Sequence, residues 1–255
     1  MKKGISAVEF DYKNPQALES IIKVNGIQYV WFTTDFFNAA KGKRAVEVAH
    51  GKAVIDICKA TGIKYVIYSS ALAADSCPKN VQHIASKWDI EQYLSTSSLN
   101  YTIIRPSAFM DNFNDPLNYN PLKKGKASML TYEYARVPSV SCRDIGKASE
   151  AIFSNIPKYQ GRTIELVKDY YAGNDVAAAL TKVSGVPCVY KVSVPKCIQA
   201  LFLTDLHHMC QWFETNNIKL PLEGLAELVP DAWSYENYFT SVGQFSNGEK
   251  FRPTK

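Results

Sequence analysis

An imidazole and an ammonium stand four residues apart in the run His83-Ile-Ala-Ser-Lys87, a spacing that puts both on one face of a helix. Upstream, the β-rich run from Gly62 ends in two hydroxyls, Ser69 and Ser70, followed by Ala71. Downstream, Arg105-Pro106-Ser107-Ala108-Phe109 turns from a strand into a loop that continues to Asn112. A histidine can hand over a proton near neutral pH, a lysine can hold sugar hydroxyls, and a serine can orient a carbonyl. Singly, each has a plain structural reading. A hydroxyl at a strand end is more often a cap than a catalyst, and His-x-x-x-Lys recurs by chance in many helices.

Positioning these groups requires a sheet with helices around it. The pattern predicts strands at residues 5–10, 27–33, 63–68 and 101–104, where β-branched and aromatic residues cluster. Between them run helical patterns: one opened by Asn14-Pro15, one carrying Val46, Ala49, Ala53, Val54, Ile57 and Cys58, and one over residues 84–94. Gly62 reads as the stop of the second. Strands separated by helices make βαβ units, hence a parallel sheet covered on both faces, with ligands at its carboxyl edge. After Pro106 the rhythm loosens. Residues 111–126 read as a loop, 163–167 and 189–194 as strands, and Asn174 as the cap of a helix ended by Gly185. Residues 198–213 read as one amphipathic helix with Leu201, Phe202, Leu206 and Cys210 on a single stripe. The expectation is one domain over 1–255, with a Rossmann-like core at 1–112 and, from 113, remaining core strands interleaved with a smaller lobe.

Composition narrows the function classes. With 46% hydrophobic and 21% charged residues the chain is no disordered segment. Its net charge of +5 is scattered, and the two basic clusters, Lys41-Gly42-Lys43-Arg44 and Lys123-Lys124-Gly125-Lys126, are too short for a nucleic-acid footprint. Six cysteines without a CxxC pair argue against a metal site or a disulfide framework. No apolar run reaches the length of a membrane span, and no signal core follows Met1. These features point to the cytoplasm, with the nucleus as a further location.

Order and spacing along the chain carry a resemblance. "VEFDYKNPQALESII", "YVWFTTDFF", "AVEVAHGKAVIDICKATGIKYVIYSS", "RPSAFMDNF", "SCRDIGKA" and "PDAWSYENYF" together resemble the NmrA-like family of atypical short-chain dehydrogenases. In it His-x-x-x-Lys stands where ordinary short-chain dehydrogenases have Tyr-x-x-x-Lys. The resemblance implies a Rossmann-like doubly wound sheet with an NADP cleft. Asp11 would then approach the adenine, and Thr33 and Thr34 the ribose. Ser69 and Ser70 would take the place of the catalytic serine, Lys87 would contact the nicotinamide ribose, and Pro106, Ser107, Ala108 and Phe109 would border the nicotinamide. Lys87, His83 and Ser70 are the catalytic candidates. Asp11 has a plain alternative as a helix cap, and the threonines as β formers.

The resemblance also implies an opening strand, a Gly-x-x-Gly-x-x-Gly turn and a helix that together hold the pyrophosphate. Here residues 5–10 already resemble the family's third strand, and no two of the 13 glycines lie closer than five residues. Missing phosphate contacts of roughly 1.5–3 kcal/mol each would turn micromolar binding into millimolar. The expectation is therefore a non-catalytic, redox-sensing or regulatory protein with lost or weak NADP binding. It would bind a protein partner such as a transcriptional regulator, and a homodimer is an open option. The alternatives are an NAD(P)H-dependent reductase of a quinone or other carbonyl, or an incomplete copy of a longer protein whose further residues restore the cofactor site. With two strands missing from the centre, strand 5–10 is expected to slide alongside 27–33 and pair with it in parallel, the other repair being an edge-to-edge or swapped dimer in which a second chain fills the space.

Overall fold

The computed structural model describes residues 6–8, 10–12, 14–114, 125–215 and 218–241. Its centre is a parallel sheet of four strands in the order β1 (Tyr29–Phe32), β2 (Tyr65–Ser69), β3 (Tyr101–Pro106), β7 (Thr163–Leu166). β2 is the reason the sheet is covered twice. All five of its residues are buried, and they alternate between two apolar layers. Val66 and Tyr68 meet α2 (Arg44–Ala60) and α3 (Gln82–Ser95) through Val54, Ile55, Cys58, Ile90 and Leu94. Tyr65 and Ile67 meet α4 (Cys142–Ser154) and α9 (Glu223–Leu228) through Ile145, Ala148, Ile152, Leu225 and Leu228.

α2 and α3 approach each other closely at Gly51. A Cβ there would come within 2.6 Å of Ile90 Cδ1. That contact sets the height of α3 above the sheet, and with it the level of His83 and Lys87.

The remaining strands form a smaller lobe over the carboxyl edge. β4 (Ala108–Phe109) runs parallel to β6 (Val137–Val140), which pairs antiparallel with β8 (Asp169–Tyr171). β5 (Lys126–Met129) pairs in parallel with β9 (Val189–Val192). α6 (Gly173–Ser184) and α10 (Tyr235–Ser241) pack there around Met110, Phe113, Tyr190, Tyr238 and Phe239. α5 (Ile156–Tyr159) links α4 to β7, while α7 (Lys196–Phe202) and α8 (Thr204–Thr215) close the lobe. No helix among the described residues is long and apolar enough to cross a membrane.

Four expectations are corrected. Ser6, Ala7, Val8 and Phe10 are not in a strand, while Ile5 and Glu9 lie outside the described residues. Among the described residues β1 pairs only with β2. The reason lies at Tyr12, whose hydroxyl donates to the Thr33 carbonyl at 3.3 Å and whose ring stacks on His50 of α2 at 4.2 Å. That anchor draws the approach to α1 (Gln16–Asn25) onto the α2 face instead of along the edge of β1. The expected helix at 198–213 is two helices broken at non-helical Leu203, at φ −126°, ψ 43°. α7 is held inward by fully buried Gln199, whose amide donates to the Leu130 and Val194 carbonyls, so Leu201 and Phe202 face outward at 70% and 73% exposure. Asn174 does not cap α6, since the helix starts at Gly173 and Asn174 is its second residue, while Asp175 accepts the Ala172 N–H at 2.8 Å. The loop expected at 111–126 begins inside a 3-10 turn over Met110–Asn114 and ends at Lys126, the first residue of β5, while 115–124 lie outside the described residues.

Candidate functional site

The carboxyl ends of the parallel strands gather Thr33 and Thr34, Ser69 and Ser70, and Pro106 and Ser107 at one edge. Thr33 donates to the Ser69 carbonyl at 2.9 Å, and Ser107 donates to the Leu166 carbonyl at 3.0 Å, so these hydroxyls join neighbouring strands. Ala108 and Phe109 belong to β4, with Phe109 at 40% exposure. Exposed Asp11 accepts the Asn14 N–H through its carbonyl at 2.9 Å, in the turn before α1.

α3 carries His83, Lys87 and Glu91 at successive four-residue steps along one face, and each is held by a different partner. Lys87 is buried against Glu47 of α2. Its ammonium donates to the Thr34 carbonyl at 2.6 Å, to the Thr34 hydroxyl at 2.9 Å, and to the Glu47 carboxylate. Thr34 and Ser86 also donate to Glu47, which has no exposed surface. Burial pushes the Lys87 pKa below the usual lysine value, and Glu47 opposes that shift.

Ser70 faces a second network. Its hydroxyl donates to Glu91, which also accepts Arg105 Nε at 3.0 Å and Nη2 at 2.7 Å. Arg105 reaches Asp75 at 2.9 Å and Glu165 at 3.1 Å through Nη1. Burial pushes the Glu165 carboxyl up to about 7, although Arg105 pulls it down. The cluster borders a groove of about 500 Å³ that Trp88, Tyr101 and Leu220 also line. His83 belongs to a third network, with its Nδ1 against Asp205 of α8 and its ring 5.5 Å from that of Phe37. The three catalytic candidates thus share a region and make no hydrogen bond to one another.

Sequence reasoning missed Glu47, Glu91, Asp205 and Glu165. Two carried a readable signal. Glu47 falls in helical phase with Gly51, Val54 and Cys58 on the buried face of α2, and Glu91 follows Lys87 by four residues. Asp205 and Glu165 are brought in by tertiary structure and carry none.

The family model described as "NmrA-like family" matches residues 1–241. Among curated proteins, an NmrA-like family domain-containing oxidoreductase, FrzB of Cladobotryum sp, is 26% identical over 165 residues, 57% of this chain and 49% of that protein. Quinone oxidoreductase 2 of Escherichia coli is 25% identical over 198 residues, 74% of this chain and 62% of that protein. The match therefore spans about half to three-fifths of the length of these relatives. Among solved structures, NmrA, a negative transcriptional regulator in complex with NADP, superposes with a TM-score of 0.71 at 17% identity, covering 92% of this chain and 80% of that one. At that identity the likeness is one of fold. On the family model's match over nearly its whole length, the chain belongs to the NmrA-like family.

Proposed function

We propose that this chain is a regulatory member of its family, without redox catalysis and with weak or absent NADP binding, that acts through a protein partner such as a transcriptional regulator. The observation that carries this reading is the state of Lys87. A lysine has three donors. Here they reach the Thr34 carbonyl, the Thr34 hydroxyl and Glu47. For Lys87 to hold a nicotinamide ribose it would have to give up one of these buried acceptors, and giving up Glu47 would leave a buried carboxylate without its counter-ion, at a cost of about 3–5 kcal/mol. A charged hydrogen bond to the ribose returns about 1.5–3 kcal/mol. An exchange at Glu47 is unfavourable, which supports the reading of weak nicotinamide binding at Lys87. Ser70 is likewise engaged by Glu91. The NmrA regulator among the structural relatives supports a regulatory role, and a cytoplasmic or nuclear location accords with it.

The second reading, a reductase of a quinone or another carbonyl, has one observation in its favour. His83 has one ring nitrogen held by Asp205, an arrangement that suits a proton donor. Titration with NADPH, read by nucleotide fluorescence, separates the two. The regulatory reading expects no saturation at or below about 10 µM, roughly −7 kcal/mol, and no quinone-dependent NADPH oxidation. Micromolar saturation, with turnover that Lys87→Ala abolishes, would establish the reductase in its place.

A further inference from the structure

α3 begins without a cap of its own. Val81 precedes its first residue and offers no side-chain hydrogen bond, and the first turn contains no acidic residue. Helix starts leave N–H groups unpaired and carry partial positive charge, so a carboxylate is the expected complement. It comes from the other lobe. Asp205, at the start of α8 and 123 residues from Gln82 in sequence, accepts the Gln82 N–H with Oδ1 and meets His83 Nδ1 with Oδ2. Further along α8, His208 Nδ1 lies 3.1 Å from the Asn80 carbonyl, just before α3. Trp212 and Phe213 then pack on Leu72, Ala73, Val81 and Ile84. Positions 205, 208 and 212 follow helical spacing, so one face of α8 grips the entry to α3 and the segment after Ser70.

His83 Nε2 is a polar atom that this junction leaves unbonded. It has no hydrogen-bond partner among the described residues and is not sealed from solvent. Phe36 and Phe37, from the loop after Thr34, stand beside the ring at 6.1 and 5.5 Å between centroids. We propose that Asp205 is the positioning residue of the cleft. It caps α3 from the C-terminal lobe and orients His83 so that Nε2 is the atom presented at the sheet's carboxyl edge, joining lobe and cleft into one mechanical unit. The proposal goes beyond the functional reading above and holds for a regulator or a reductase alike.

The test uses the full chain and two variants, Asp205→Asn and Asp205→Ala, with imidazole ¹⁵N spectra at pH 8 and amide hydrogen exchange. In the wild type the His83 proton resides on Nδ1, where the carboxylate accepts it. An asparagine keeps the acceptor for the Gln82 N–H and turns its amide donor to His83, so Asp205→Asn shifts the proton to Nε2 with little change in exchange. A cap on Gln82 that did not engage His83 would leave that signature unmoved. Asp205→Ala raises exchange at Gln82 and His83 by at least about fivefold, equivalent to ~1 kcal/mol for a lost cap, and raises it in α8 as well. An unchanged His83 tautomer in Asp205→Asn overturns the positioning role. Faster exchange in α3 with none in α8 overturns the coupling of lobe to cleft. Should Asp205→Ala fail to fold, Asp205→Asn still decides the first point, and its α8 exchange after His83→Ala is added decides the second: rates that rise together with those of α3 support the coupling. Failure of NADPH to bind touches none of these readouts, so the fates of the two readings stay separable.

Discussion

Glu47, Glu91, Glu165, Asp205 and Lys87 set what this cleft can do. Glu47 and Lys87 are a buried pair, and removing one partner strands the other in an apolar setting. Lys87→Met is expected to destabilise the fold by about 3–5 kcal/mol in urea unfolding. Adding Glu47→Leu to that variant should recover a large part of the loss. A double variant no more stable than Lys87→Met would show that Glu47 tolerates isolation, and with it the argument against a ribose at Lys87 would fail. Glu165 supplies a pH dependence of defined sign. Burial raises its folded pKa to about 7, above the 4.5 of a free glutamate, so between these limits the folded state holds more protons than the unfolded. The stability this contributes is fully present below about 4.5 and is lost as pH rises through about 7. At 1.36 kcal/mol per unit the upper bound is roughly 3 kcal/mol. Glu165→Gln should therefore flatten the fall in stability between pH 5 and 7, as followed by chemical unfolding at successive pH values. An equally steep fall in that variant would locate the titration elsewhere. Little of this was legible in the sequence. His83, Lys87 and Ser70 stand out by type and spacing, but the carboxylates that engage them arrive from α2, α3 and α8 through packing.

At the scale of elements, periodicity reads well where burial is one-sided or complete and poorly where polar residues take the buried positions. β2 is an unbroken apolar run, and α2 shows a helical stripe ended near Gly62, so both are placed by pattern. α7 defeats the same reasoning. Its inward residue is Gln199, chosen for two carbonyl partners, and its leucine and phenylalanine point outward. The strand expected at 5–10 fails for another reason. Ile5, Val8 and Phe10 are good strand formers, but a strand needs a partner edge, and Tyr12 ties the following residues to His50 and Thr33. Gly51 gives the sharpest test at this scale. Gly51→Ala brings a methyl into Ile90 between two packed helices, and overpacking of this kind costs about 1–3 kcal/mol. Ile90→Val in the same chain should relieve part of that loss, measured as a recovery in melting temperature. A Gly51→Ala variant as stable as the wild type would mean that α3 can lift away from α2, and the level of Lys87 would not be fixed by their contact.

The chain's path binds the whole molecule together. It leaves the sheet after β3, builds β4 to β6, and returns through α4 to place β7 beside β3. It then leaves again for α6 to α8 and comes back once more at α9, where Leu225 and Leu228 enter the layer formed by Ile67, Ile104 and Ile164. Gly224 makes that return tight, since a Cβ there would lie 2.8 Å from the Glu165 carbonyl oxygen. A few residues later Tyr235, Tyr238 and Phe239 fill the core of the lobe. The same short stretch therefore closes both cores, and α8 grips α3 on the other side. Two lobes laced in this way are expected to unfold as one unit. Leu225→Ala, a buried truncation in the sheet layer, should cost about 2–5 kcal/mol. Native-state hydrogen exchange shows where that loss is felt. If the molecule is one cooperative unit, the slowest amides of β2 and of α6 lose protection by the same factor, although α6 lies outside the layer that Leu225 joins. If protection falls in β2 while α6 keeps its own, sheet and lobe are separate units, and the crossing segment is a tether instead of a shared wall.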